Sequence, residues 1–245
     1  MADLSDRIRS NMGLKMVMAS SGLLLVGFIV IHMVGNLQVY LGPKVFNHYA
    51  ETLQGTPELI WTVRLVLLTA VLAHIGSAAT LVLRARAARP VGYEKAVWLS
   101  NTYAVRTMRW GGVILFLFIG YHLLHLTVGV EAVGAAGNKA FQHCHWEGED
   151  FRCHAYANLV FGFRNPLVVG FYALAQIFLG MHLAHGIWSM ARTLGFDNPR
   201  FDRQIRRLAT TIGVIITLGN ISIPVSVLTG IVTPNSAPFY TAAQR

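Results

Sequence analysis

The sequence predicts an all-α integral membrane protein with five transmembrane helices. Three observations carry that expectation. Hydrophobic residues make up 54% of the 245 positions and charged residues only 13%, about half the charge fraction of a soluble domain. The shortage is uneven and falls in long runs without a formal charge. Those runs are continuous, whereas the strands of a membrane barrel alternate over about ten residues. In lipid a helix satisfies its own backbone groups, and about 20 apolar residues cross the hydrocarbon core.

The charge-free runs lie between Lys15 and Lys44, Arg64 and Arg84, Arg109 and Glu131, Arg164 and Arg192, and Arg207 and Arg245. They place helices near 15–40, 60–84, 109–130, 166–191 and 207–232, in one membrane domain spanning 1–245. The first helix carries Gly22, Gly27, Gly35 and His32. Its length reads as a span rather than as a cleaved signal peptide. The second carries His74. The third carries Gly111, Gly112 and Gly120 with His122 and His125, and the fourth Gly180 and Gly186 with His182 and His185. The small residues suit close helix packing. The recurrence of His-x-x-His is a weak internal echo. The fifth helix has no histidine, and Pro224 is expected to kink it.

Topology follows from the basic residues. Arg7, Arg9 and Lys15 precede the first helix. Arg84, Arg86, Arg89, Lys95, Arg106 and Arg109 fill the second loop, and Arg192, Arg200, Arg203, Arg206 and Arg207 the fourth. These are fourteen of the twenty Lys and Arg residues. Basic loops stay cytoplasmic, so the N-terminus is expected inside and the C-terminus outside. Anionic lipid accounts for most of the basic residues, and a cytoplasmic partner subunit is the sharper reading. Nucleic acid is not expected, because the charges sit at helix ends and form no stripe.

Ionisable side chains inside a membrane are costly and usually functional. Four of the five helices carry histidine, a common ligand of haem iron. Four histidines on four helices suit two bis-histidine haems in a bundle of helices I–IV, with the fifth helix peripheral. At 1.5 Å per residue, His74 and His182 each lie about 15 Å from the inner charges and form an inner tier. His32 and His122 form an outer tier, higher by about 5–10 Å. Residues at i and i+3 share a helix face, so either member of His122/His125 and of His182/His185 could point inward. Depth favours His182 in the second pair and leaves the first open. The remaining histidines could bond haem propionates or backbone, line a quinone pocket, or hydrogen-bond within the bundle.

The stretch KMVMASSGLLLVGFIVIHMVGNLQVYLGPKVFNHYAETLQ, Lys15 to Gln54, resembles the first helix and following loop of the succinate dehydrogenase/fumarate reductase cytochrome b subunit of the b558 type. The likeness continues through AVLAHIGSA around His74, FIGYHLLHL around His122 and MHLAHGIWS around His182. It implies the single-chain dihaem membrane anchor of a succinate:quinone oxidoreductase in a bacterial cytoplasmic membrane. It further implies His32 with His122 as ligands of an outer haem b and His74 with His182 of an inner one. Flavoprotein and iron–sulfur subunits would dock on the cytoplasmic side, and the whole complex could form an oligomer. Electrons would pass from the iron–sulfur subunit through the two haems to a membrane quinone, or the reverse for fumarate reduction. Succinate chemistry would lie outside this chain. Buried propionates need donors or cations, for which Arg64, Arg109 and Arg192 are candidates beside an interfacial role. Family members that couple electron transfer to proton movement carry a glutamate two residues before the fourth-helix ligand. Gly180 stands there, which puts that proton route in doubt. Glu51 and Glu58 are loop carboxylates that could serve an outer quinone site.

The third loop contains HCHWEGEDFRCH and the only two cysteines, Cys144 and Cys153. On the oxidising side these are expected to form a disulfide. A metal site using His143, His145 and His154 ranks below it, because the spacing fits no zinc pattern. Competing readings are the cytochrome b subunit of formate dehydrogenase or another quinone-linked enzyme, a non-haem transporter relaying protons through membrane histidines, and a structural anchor. The last is disfavoured because all four ligand positions are filled.

Overall fold

The computed structural model describes residues 4–88, 103–131 and 141–234. Arg89, Lys95 and the tail from 235 onward lie outside the described residues. For Arg106 only the backbone is described. Among the described residues the order is α1 (Leu4–Arg9), α2 (Asn11–Leu37), α3 (Pro43–Gln54), α4 (Pro57–Ala87), α5 (Tyr103–His122), a hairpin of β1 (His145–Glu147) and β2 (Asp150–Arg152), α6 (Ala155–Gly162), α7 (Pro166–Thr193) and α8 (Pro199–Leu228). Five segments are long and apolar enough to cross a membrane: Asn11–Leu41, Pro57–Ala87, Met108–Val128, Pro166–Thr193 and Pro199–Leu228. The chain is an all-α, multi-pass membrane protein.

The helix starts are set by caps rather than by charges. Ser10 accepts the Gly13 N–H at 3.0 Å and starts α2 four residues before Lys15. Pro57 occupies the first turn of α4, where its missing N–H has no helical partner anyway. Asn165 accepts the Leu167 N–H at 2.9 Å ahead of Pro166, and Asn198 accepts the Arg200 N–H at 3.0 Å ahead of Pro199. The last cap starts α8 at Pro199, well before residue 207, because the basic stretch before the apolar run is itself helical. The helix is continuous through Pro224.

Packing defines two sides of a bundle. α4 lies along α2, α5 along α7, and α2 also meets α7. The remaining pairs, α4 with α5, α2 with α5 and α4 with α7, make little direct backbone contact among the described residues. α8 packs outside this group, extensively on α7 and also on α2. Its closest approach is at Gly180 and Gly213, where any side chain at Gly180 would overlap the Thr217 hydroxyl. Thr217 and Asn220 continue the crossing with hydrogen bonds to the backbone and side-chain oxygens of Gln176 at 3.2 and 2.9 Å. Large apolar side chains such as Ile31, Leu65, Leu72, Phe116, Leu117 and Leu174 point outward, as lipid-facing surfaces require.

The two ends differ. At one end Arg84 reaches the Arg9 carbonyl and the Asn11 side chain at 2.8 and 2.9 Å, and most of the arginines among the described residues belong to the helix ends on that side. The other end is capped by α3, α6 and the hairpin. Phe46 packs on Tyr156 with ring centres 6.5 Å apart. Asn47 accepts the Tyr156 N–H at 2.9 Å, and Glu51 accepts the Cys153 N–H at 3.2 Å. A disulfide joins Cys144 to Cys153 across the hairpin.

Candidate functional site

Two pairs of histidines face each other across the helices that do not pack directly. His32 of α2 and His122 of α5 have ring centres 5.8 Å apart. His74 of α4 and His182 of α7 have ring centres 6.2 Å apart. All four side chains are half-buried. Two imidazoles on opposite sides of one metal ion, each nitrogen about 2.0 Å from it, have ring centres about 6 Å apart. Each pair therefore has the spacing that two imidazole ligands of one metal ion would need.

The depth of the pairs follows from their neighbours. His74 bonds the Met18 carbonyl at 3.1 Å and its ring lies beside Gly22. On α2 that level is ten to fourteen residues from His32. On α7, His122 meets Tyr172 at 3.3 Å, ten residues before His182. At 1.5 Å per residue both helices separate the pairs by at least about 15 Å. The 5–10 Å expected from the charges is thus too small, because Lys15 and Arg109 lie inside helices that begin at Asn11 and Tyr103.

The environment of each nitrogen bears on what it can bind. A carbonyl only accepts, so His74 Nδ1 donates to Met18 and leaves the Nε2 lone pair available, the arrangement of a metal-ligating histidine. His182 Nδ1 is buried with no hydrogen-bond partner among the described residues. Such a polar atom is costly in an apolar bundle. Phe28 stacks on His32 at 5.2 Å and Phe118 on His122 at 5.8 Å. These rings give the first pair an apolar, aromatic border. The structure thus brings His32 together with His122 and His74 together with His182, each as a pair of imidazoles on facing helices.

The second histidine of each His-x-x-His points elsewhere. After His122 the helix widens to a π-helix over Leu123–Val128 and ends at Gly129, φ 72°. A π turn rotates the chain less per residue than an α turn. His125 is thereby carried away from α2 and into a fully buried pocket made by Tyr172, Phe163 and Gly162. His185 packs on Trp188 at 5.7 Å.

Of the arginine candidates, Arg64 lies over Trp61 at 5.1 Å and Arg109 is exposed. Arg192 already has partners: Asp197 at 2.9 Å and the Trp188 ring at 5.2 Å. Glu51 is engaged with the hairpin backbone, and Glu58 is exposed in the first turn of α4. In the hairpin, His145 stacks on His154 at 5.7 Å. No group of three or more His, Cys, Asp or Glu side chains is arranged to hold a metal ion among the described residues. Sequence reasoning missed Tyr172 and Gly162. A tyrosine hydroxyl within an apolar span is the signal that could have found the first. No family model, curated protein or solved structure matches the chain.

Proposed function

We propose that the chain is the dihaem cytochrome b anchor of a succinate:quinone oxidoreductase, passing electrons between a cytoplasmic iron–sulfur subunit and membrane quinone. The observation that carries this reading is the pair of facing histidine couples at two depths, each with rings about 6 Å apart. Haem b, when bound, supplies a one-electron redox centre at each level. The protein's own part is to hold, orient and enclose. His74 is fixed in one tautomer by the Met18 carbonyl. Phe28 and Phe118 keep water from the His32 and His122 rings. Excluding water and choosing axial ligands are the levers by which a protein tunes such a centre.

The partners belong to the same proposal. The flavoprotein and iron–sulfur subunits dock on the arginine-rich end, on the cytoplasmic face of a bacterial membrane. Quinone reacts within the bilayer. The four sequence blocks quoted above support the succinate family over a formate dehydrogenase subunit.

The test is a reduced-minus-oxidised spectrum of purified protein with haem quantified per chain. Wild type is expected to contain two b haems, and His74→Ala to lose about one. A well-folded wild-type chain without haem would overturn the cytochrome reading and leave a histidine-based proton carrier in its stead. Co-purification with a flavoprotein and an iron–sulfur protein distinguishes the succinate family from other quinone-linked enzymes.

A further inference from the structure

The first half of α8 has two unlike sides. Ala209, Gly213 and Ile216 are buried, Ala209 and Ile216 in a cluster with Met33 of α2 and Leu183 and Ile187 of α7, and Gly213 against Gly180. The opposite side carries an open groove of about 580 Å³. Arg203, Arg206 and Arg207 line its start, Thr210 and Thr211 its middle, and Val214 and Ile215 its inner part. All of these side chains are exposed. Their chemistry changes in order along the helix, from guanidinium to hydroxyl to hydrocarbon, and the step from Arg207 to Ile215 is about 12 Å of rise.

Charge and hydrogen bonding show what this side lacks. Arg206 is already neutralised: its Nε donates to Asp202 at 2.8 Å and its guanidinium lies over the Trp188 ring at 3.7 Å. Trp188 Nε1 donates to the other Asp202 oxygen at 2.7 Å, and Asp197 is taken by Arg192 at 2.9 Å. The two carboxylates between α7 and the start of the groove are thus engaged. Arg203 and Arg207, one turn apart, have no ion pair or hydrogen bond among the described residues. The hydroxyls below them are in the same condition. Thr69, Thr80 and Thr217 bond the carbonyl four residues earlier, a common satisfaction of threonine within a helix. Thr210 and Thr211 make no such bond among the described residues.

We propose that this side of α8 binds an anionic phospholipid, with the phosphate between Arg203 and Arg207, the ester oxygens at Thr210 and Thr211, and an acyl chain along Val214 and Ile215. The order of groups on the helix is that of the lipid from headgroup to tail. Basic side chains at the end of a span attract anionic headgroups, and the hydroxyls and apolar residues beneath them extend the match into the bilayer. Free phosphate fits the arginines and has nothing to offer Val214 and Ile215. An acidic loop of a docked subunit would have to leave water to reach them. The inference does not depend on what the histidines bind.

The experiment is native mass spectrometry of the full-length chain in detergent, titrated with phosphatidylglycerol or with phosphatidylcholine of the same acyl chains. Wild type is expected to bind phosphatidylglycerol more tightly. Arg203→Gln with Arg207→Gln is expected to weaken that binding about 10- to 30-fold. Thr210→Val with Thr211→Val, which keeps side-chain volume, is expected to weaken it by less. Should the arginine variant fail to fold, the threonine variant carries the test. Arg7→Gln with Arg9→Gln removes two exposed arginines from another helix and is expected to retain wild-type affinity. Equal loss in the two arginine variants, or equal affinity of wild type for the two lipids, would overturn the site and leave only a general attraction of charge to membrane. Displacement of the lipid by inorganic phosphate would overturn it in favour of a simple anion site. Unchanged lipid binding together with loss of a co-purifying subunit in the Arg203 and Arg207 variant would overturn it in favour of a docking surface. None of these results bears on the haem count, which tests the proposed function separately.

Discussion

Single positions decide which of several chemically equivalent residues becomes part of the site. That four of the spanning helices carry histidine, and the His-x-x-His repeats, were legible in the sequence; the depth between the pairs was not. The choice within the third-helix pair was not, because α-helical geometry keeps i and i+3 on one face. The structure separates His122 from His125 with a π turn at Leu123–Val128, a departure that no propensity announces. Gly180 is a second case. In the sequence it stands where some members of the family the chain resembles carry a glutamate. In the structure it is the contact point between α7 and α8, where a side chain would overlap the Thr217 hydroxyl and press on the Gly213 backbone. The helix crossing thus supplies a packing reason for glycine there. Overpacking of a close contact costs about 1–3 kcal/mol. Gly180→Val is expected to lose stability of that order in thermal unfolding in detergent. Gly170→Ala, on the same helix with open space around it, is expected to stay within about 0.5 kcal/mol of wild type. Equal behaviour of the two variants would remove the crossing from the account.

The five spanning helices were read within a few residues at several ends, since long apolar runs are the strongest signal a membrane sequence gives. The short elements at the capped end were not read. α3 and α6 have 12 and 8 residues, lengths at which isolated helices are marginal and tertiary packing decides. Their support is Phe46 on Tyr156 and the Asn47 and Glu51 acceptors, all long-range partners. The hairpin between them carries a pH dependence. His154, just before α6, has its pKa lowered below the usual 6.5, first by burial and then by the neighbouring His145, with Glu147 and Glu51 opposing. A lowered histidine pKa means that the opened hairpin binds more protons than the closed one. Stability is therefore full above about pH 6.5 and falls as the pH drops below it towards the folded value. Amide exchange over 145–158, corrected for intrinsic rates, is expected to show more frequent opening at pH 5.5 than at 7.5. His154→Gln should flatten that difference. A flat wild-type profile would mean that the cap does not sense this histidine.

For the molecule as a whole, two asymmetries coincide. The sequence puts fourteen of its twenty Lys and Arg residues at the start of the first span and around the second and fourth connections, while in the structure the end opposite Arg9 and Arg84 carries the disulfide and the acidic hairpin. Positive charge selects the cytoplasmic side of a membrane, and disulfides persist on the oxidising side. These are independent physical selections, and in this fold they give the same orientation. Under the proposed orientation, the histidine pair nearer a cytoplasmic partner would be His74 with His182, whose helices end in Arg84, Arg86 and Arg192. His32 and His122 then lie at least about 15 Å further out by the rise of α7. An epitope inserted at the hairpin turn, where Gly148 adopts φ 64° and faces open space, should be recognised on intact spheroplasts. An epitope fused before Leu4 should be recognised only after permeabilisation. The reverse pattern would invert the chain, move the partner subunits to the hairpin end, and make His32 and His122 the pair that first receives electrons.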